Sequence, residues 1–139
     1  MKSEDAGFQQ SASLGINARL PVGIPPAAWY ELLAQTAPEA EVETRGFAIP
    51  AYECAKNTSL VRGMLAGIRA QGGTPSFVYK TGTADLNIVA PVWGCESIVY
   101  GPGDSAMDHT PNEHISLTEY KQAVKALTSG LRHLCGVIG

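Results

Sequence analysis

No run of basic residues, no long apolar stretch and no closely spaced cysteines occur in this 139-residue chain, and each absence narrows what it can do. Ten Lys and Arg are interspersed among thirteen Asp and Glu, for a net charge of −3. Without a basic patch to follow a phosphate backbone, no nucleic-acid partner is expected. The first twenty residues carry Lys2, Glu4, Asp5 and Arg19 and no apolar run of signal-peptide length. No segment approaches the roughly 20 apolar residues that span a bilayer, so no membrane partner is expected either. Cys54, Cys95 and Cys135 are far apart and form no Cys-x-x-Cys pair. That usage fits reduced thiols and a cytoplasmic location better than a disulfide framework or a zinc knuckle. Repeats and low-complexity tracts are also missing.

What is present is the composition of a soluble globular protein, with 45% apolar residues. Residues 1–12 show no periodicity and are expected to be disordered. From Ser13 to Leu20 the chain alternates, with Leu14, Ile16, Ala18 and Leu20 on one face, which reads as a half-buried strand. Pro26 suits the first turn of a helix carrying Trp29, Leu32 and Leu33, and "EVETRGF" alternates again. Residues 13–49 therefore read as strand, helix, strand, with Trp29 and Trp93 both expected on core faces. Asn57 or Thr58 can cap a second helix bearing Leu60, Val61, Met64, Leu65 and Ile68, stopped at Gly72 and Gly73. "SFVYK" and "SIVY" read as short strands flanking a short helix, "LNIVAPVW". Ser116 and Glu119 form a capping box before Leu117, Tyr120, Val124, Leu127, Leu131 and Leu134, which recur at helical spacing. The order of elements after residue 50 predicts an α/β layer. Its strands would have exposed edges that need covering, by dimerisation or by further strands.

Chemistry is expected where the two short strands end. "TGTAD" follows one and "GPGDSAMDH" the other, so parallel strands would bring both polar loops to one crevice. Gly101 and Gly103 permit a tight turn and close backbone approach there. His109 has three readings: a loop histidine bonded to Asp108 or Glu113, a metal ligand, or part of a nucleophilic site with Ser105. The last lacks the glycines of a nucleophile elbow. Metal ligation by spacing alone is thin, because zinc wants three or four ligands and one is visible. His114 lies across a proline and makes no recognised pair with His109, and His133 falls in the last helix.

The two loops together resemble a known family. "GPG", a five-residue spacer and "HTPNEHIS", preceded by "KTGTADLNIVAPVWG", are similar to the carboxy-terminal motifs of the zinc amidohydrolases and metallopeptidases that include acetylornithine deacetylase and succinyl-diaminopimelate desuccinylase. In detail they look most like the hydrolases that release lysine or ornithine from an amino-group carrier protein in lysine and arginine biosynthesis. The resemblance covers about residues 13–135 and is strong in the two loops, architectural before residue 50.

The resemblance implies a fold in two parts. Residues 13–49 would be a β-α-β piece of a ferredoxin-like lid that mediates dimerisation, and residues 50–139 the carboxy-terminal part of an α/β catalytic domain. It implies two zinc or cobalt ions, with His109 binding one of them. Two cations about 3.5–4 Å apart polarise an amide and generate hydroxide near neutral pH. The H-x-D pair, Glu-Glu pair and further acidic ligand that complete such a centre lie, in the family, in a segment preceding the part matched here. The chain alone thus holds no expected catalytic residue. An N-terminal half, a second copy of the chain and a carrier protein are its implied partners. Substrate contacts fall by the same resemblance on Lys80, Gly82, Thr83, Asp85, Asn87, Gly101 and Gly103. Lys80 and Asn87 would hold a carboxylate, and Gly82 and Thr83 would offer backbone N–H groups. Asp85 either orients the loops or caps the following helix, and Lys80 is alternatively a solvated strand end. Arg19 reads as a surface residue that can reach a substrate carboxylate. The rival expectation is an inert module that dimerises or binds a ligand.

Overall fold

A computed structural model describes residues 2–7 and 9–136. Four helices and one hairpin make up its regular structure: β1 (Lys2–Ala6), β2 (Gln9–Ser13), α1 (Pro26–Thr36), α2 (Ser59–Ala70), α3 (Leu86–Trp93) and α4 (Leu117–Leu134). The hairpin occupies residues for which the sequence predicts no structure. Its strands run antiparallel, with Lys2 opposite Ser13 and Ala6 opposite Gln9. A backbone ladder needs no apolar face, so side-chain periodicity does not announce it.

The helix ends follow local chemistry. Pro26 opens α1 at its first position, where the missing N–H costs nothing. Thr58, not Asn57, caps α2, its hydroxyl accepting the Val61 N–H at 3.1 Å. Gly72, with φ 78°, takes the chain out of that helix through the left-handed region that glycine tolerates. At α3 the Asp85 side chain makes no capping bond, and the helix continues past Pro91 to Trp93. Ser116 caps α4 by accepting the Glu119 N–H.

The core centres on one helix pair, and Ala90 of α3 is buried as well. Among the described residues α2 packs on α4, the hairpin strands pair with each other, and α1 and α3 touch no other element. Val61, Met64, Ala123 and Ala126 are buried there, together with Gly63, Gly67 and Gly130. The small residues allow the two helices to approach closely: a Cβ on Gly67 would lie 2.3 Å from the Ala126 carbonyl oxygen. The face of α4 that meets α2 is therefore Ala123, Ala126 and Gly130. Most of the leucine stripe that dominates the sequence pattern flanks that face and stays exposed, with Leu117 73% exposed, while Leu134 at its end lies against Gly63 of α2.

The segments 13–20, 41–47, 76–80 and 97–100, which alternation or apolar runs predict as strands, carry no ladder in the described chain beyond Ser13, the last residue of β2. A strand is defined by its neighbours, and none of these segments has one. Trp93, expected in the core, is 71% exposed for the same reason: nothing packs over its face of α3.

Candidate functional site

The loop from Gly101 to His114 is a series of turns fastened at both ends. Gly103 adopts φ 102°, a conformation that suits glycine, and its N–H donates to Glu119 Oε1 at 3.0 Å. The carboxylate that completes a capping box is thus spent on the loop, joining it to the first turn of α4. Asp104 Oδ1 accepts the Ala106 N–H at 2.9 Å, and the Asp104 carbonyl accepts the Met107 N–H. Thr110 N–H then closes a turn onto the Met107 carbonyl, with Asp108 and His109 at its centre.

His109 is the one non-glycine residue with positive φ among those described, at 63°. Its own N–H donates to Glu113 Oε2 at 2.9 Å, holding the turn from the far side. Its ring is exposed. His114 lies on the same loop with Nδ1 2.7 Å from the Asn112 carbonyl, so that nitrogen is occupied locally. His133 is exposed on α4.

The "TGTAD" turn is held by three side chains. Lys80 Nζ donates to Asp108 Oδ2 at 3.1 Å, which ties the start of this turn to the His109 loop without a strand ladder between them. Arg19 donates to the Thr81 carbonyl at 3.0 Å and lies alongside Gly82. Asn87 Oδ1 accepts the Ala84 N–H at 3.0 Å while its Nδ2 donates to the Pro50 carbonyl at 3.1 Å. Of the expected substrate contacts, Lys80, Asn87 and Gly103 therefore have their polar groups engaged within the chain. Gly82, Thr83, Asp85 and Gly101 are exposed.

Two depressions flank this region. An open, apolar cleft of about 430 Å³ is lined by Phe47, Ala48, Ile49, Pro50, Asn87 and Ile88. A smaller one of about 180 Å³ includes Tyr100, Gly101, Pro102 and Glu119. His109 and Asp85 line neither.

Two further polar clusters escape sequence reasoning. Glu96 Oε2 accepts from the Leu60 N–H at 2.9 Å and from Ser59 Oγ at 2.7 Å, crossing 36 and 37 residues to the start of α2. The Leu60 N–H bond first, then that from Ser59, holds the Glu96 carboxyl below the usual carboxylate range. Lys56 Nζ donates to the Tyr79 hydroxyl and sits 4.4 Å from that ring's centroid, while the hydroxyl donates to Glu53 at 3.0 Å. The Tyr79 hydrogen bond pushes the Lys56 ammonium up. Burial, then the neighbouring Glu53, raises the Cys54 thiol. Polar groups this far apart in sequence give no periodic signal, so the Glu96 and Tyr79 pairings could not be read in advance.

A zinc ion needs three or four protein ligands. Among the described residues no three His, Cys, Asp or Glu side chains lie close enough together to hold one. Asp108 and Glu113, the carboxylates nearest His109 in the chain, are engaged by Lys80 and by the His109 backbone. The described residues do not make up a metal centre by themselves. No helix among them is long and apolar enough to cross a membrane.

No protein-family model matches the chain. Individual proteins do. The LysW-lysine hydrolase of Deinococcus radiodurans is 42% identical over 136 residues, which is 96% of this chain and 37% of that protein. A putative LysW-lysine/LysW-ornithine hydrolase of Thermococcus kodakarensis is 40% identical over 129 residues, 93% of this chain and 34% of its own length. The protein of the same name from Pyrococcus horikoshii is 38% identical over 133 residues, 95% of this chain and 37% of its own length. Homologues named for hydrolysis of LysW-linked lysine or ornithine thus cover nearly the whole chain and support kinship with that group. The chain spans little more than a third of their length.

Proposed function

We propose that this chain is the carboxy-terminal part of a metal-dependent amidohydrolase that cleaves an amide bond to release lysine or ornithine from an amino-group carrier protein. The observation that carries the reading is the 42% identity along 96% of the chain to a LysW-lysine hydrolase. The joined "TGTAD" and His109 loops supply a place for the chemistry. In this reading the segments 76–80 and 97–100 are strands of an α/β sheet whose neighbours lie in the rest of the enzyme. Residues 13–49 belong to a dimerising lid.

His109 is the ligand this chain brings to a zinc or cobalt pair, and the remaining ligands and the proton-accepting carboxylate come from elsewhere in the enzyme. Metal at such a centre polarises the scissile carbonyl and lowers the pKa of bound water. The residues here position and bind. Gly82 and Thr83 present backbone N–H groups at the turn, with Asp85 exposed at its end and Gly101 beside the smaller depression.

The test is complementation. The purified chain should show no turnover of a lysine or ornithine amide with zinc or cobalt added, because its described residues make up no centre to activate water. Mixed with a polypeptide equivalent to the preceding two-thirds of a relative, it should gain chelator-sensitive activity that His109→Ala abolishes. Absence of complementation, with both parts folded, would leave the second reading: a dimerising or ligand-binding module. That reading draws on the same structure, since no three-ligand group is present among the described residues. Turnover by the chain alone would overturn both.

A further inference from the structure

We infer that Lys80 and Asp108 form a clip that positions His109 beside the "TGTAD" turn, so that Lys80 is a positioning residue rather than the substrate-carboxylate ligand its place in the loop suggests. The inference rests on His109 being a site residue as proposed above. Three ion pairs occur among the described residues. Arg45–Glu43 and Lys56–Glu53 join near neighbours in sequence, whereas Lys80–Asp108 spans 28 residues at 3.1 Å.

Its position on the chain gives it leverage. Asp108 and His109 are the two central residues of the turn closed by the Thr110 N–H on the Met107 carbonyl. The peptide between them is planar, so fixing the Asp108 side chain restricts the direction in which His109 leaves the turn. His109 sits at the third position of that turn with φ 63°, where glycine or asparagine is favoured and an imidazole gains nothing locally. The strain persists only if the surroundings hold it. Glu113 holds the His109 N–H from one side and Lys80 holds Asp108 from the other. The lysine's own segment is anchored in turn, since Arg19 donates to the carbonyl of the next residue, Thr81. A continuous path runs from Arg19 through Thr81, Lys80 and Asp108 to His109.

Both partners are about half exposed, with side-chain accessibilities of 53% and 49%. Such a pair adds little to global stability. Its effect is local: it shifts the population of the docked loop by about two- to fivefold.

Nuclear magnetic resonance of the purified chain tests this without any enzyme assay. With histidine selectively labelled and the His109 ring assigned through His109→Asn, a spin label at Thr83→Cys, introduced after replacing the three native cysteines with serine, should broaden the His109 signal. In Lys80→Met and in Asp108→Asn that broadening should fall by about the same factor, and about 1 M salt should reduce it in the wild type. Helix content by circular dichroism should be unchanged, which separates loop release from unfolding. The charge-reversed double variant Lys80→Asp/Asp108→Lys should restore the broadening. Equal broadening in wild type and both single variants would overturn the clip, as would failure of the reversed pair to restore it. In a complemented enzyme both single variants should lower kcat alike. A rise in KM confined to Lys80→Met would instead mark Lys80 as a substrate ligand. Loss of complementation with the spectroscopic result intact would reject the proposed function and leave the clip standing.

Discussion

His109 combines an unfavourable backbone with an exposed side chain, a combination that stability alone does not select. Holding an L-residue near φ 63° costs about 1–2 kcal/mol, and asparagine or glycine reduces that cost. His109→Asn is therefore expected to keep or slightly raise the melting temperature, and His109→Gly to leave it within a degree or two. His109→Val should lower it, because a β-branched side chain in this region is strongly disfavoured. All three should abolish activity in the complemented enzyme. Scanning calorimetry alongside the assay separates the two effects, and a stabilising His109→Val would show that the turn does not persist in solution. The sequence placed this histidine at the end of a Gly-Pro loop and raised Asp108 and Glu113 as its neighbours. It did not reveal that Glu113 takes the backbone N–H or that Asp108 is turned away to Lys80. Those partnerships depend on which loops meet, and spacing along the chain does not encode that.

At the scale of elements, α2 shows both what local patterning settles and what it leaves open. Its Thr58 cap, its apolar positions and its glycine stop are short-range features and were readable. The same holds for the Ser116 cap of α4 and for Pro26 in α1. The predicted strands at 13–20, 41–47, 76–80 and 97–100 carry no ladder beyond Ser13, because alternation states only that one face wants burial. The α2–α4 contact was also hidden, since the sequence advertises leucines while the meeting surfaces are glycine and alanine. A Cβ at Gly67 would lie within 3 Å of three backbone atoms of α4, whereas at Gly130 the one atom nearer than 3 Å is the movable Met64 sulfur. Gly67→Ala should thus destabilise by about 1–3 kcal/mol despite its better helix propensity, and Gly130→Ala by less. For a chain of this size that is a fall of roughly 3–10 °C in melting temperature for Gly67→Ala. Equal melting points for the two variants would argue against this packing. Glu96 adds a pH term at the start of α2. Its folded carboxyl titrates below the ordinary value, so its contribution is present above about pH 4.3 and is lost as pH falls through the lower folded value. Glu96→Gln should flatten that acid-side loss in a pH series of thermal melts. An unchanged profile would mean that the carboxylate does not engage Ser59 and Leu60 in solution.

The whole molecule exposes 11323 Å². A compact monomer of this mass exposes roughly 6,900 Å², so the chain shows about 4,400 Å² more than a self-contained domain would. The excess is not spread evenly over polar loops. Phe47 is 96% exposed and Val78 75%, and the exposed stripe of α4 continues through Tyr120, Val124, Leu127 and Leu131. Soluble monomers rarely leave contiguous apolar patches of more than a few hundred Å² uncovered. The expectation is association, either with a second copy or with the polypeptide that supplies the rest of the enzyme. Light scattering should show a mass that rises with concentration, and a complementing partner should replace the self-association with a defined complex. The α4 stripe makes the prediction specific. Val124→Glu and Leu131→Glu place charges on the outward face, away from Ala123, Ala126 and Gly130. They should reduce association sharply while changing helix content little, because the buried α2–α4 contact is made by Ala123, Ala126 and Gly130 rather than by these half-exposed side chains. Unfolding of the helix pair by these substitutions would place the leucine stripe inside the core after all. A wild-type chain that stays monomeric at high concentration and binds no hydrophobic dye would mean that its apolar segments are covered in solution by a closer packing of the chain on itself.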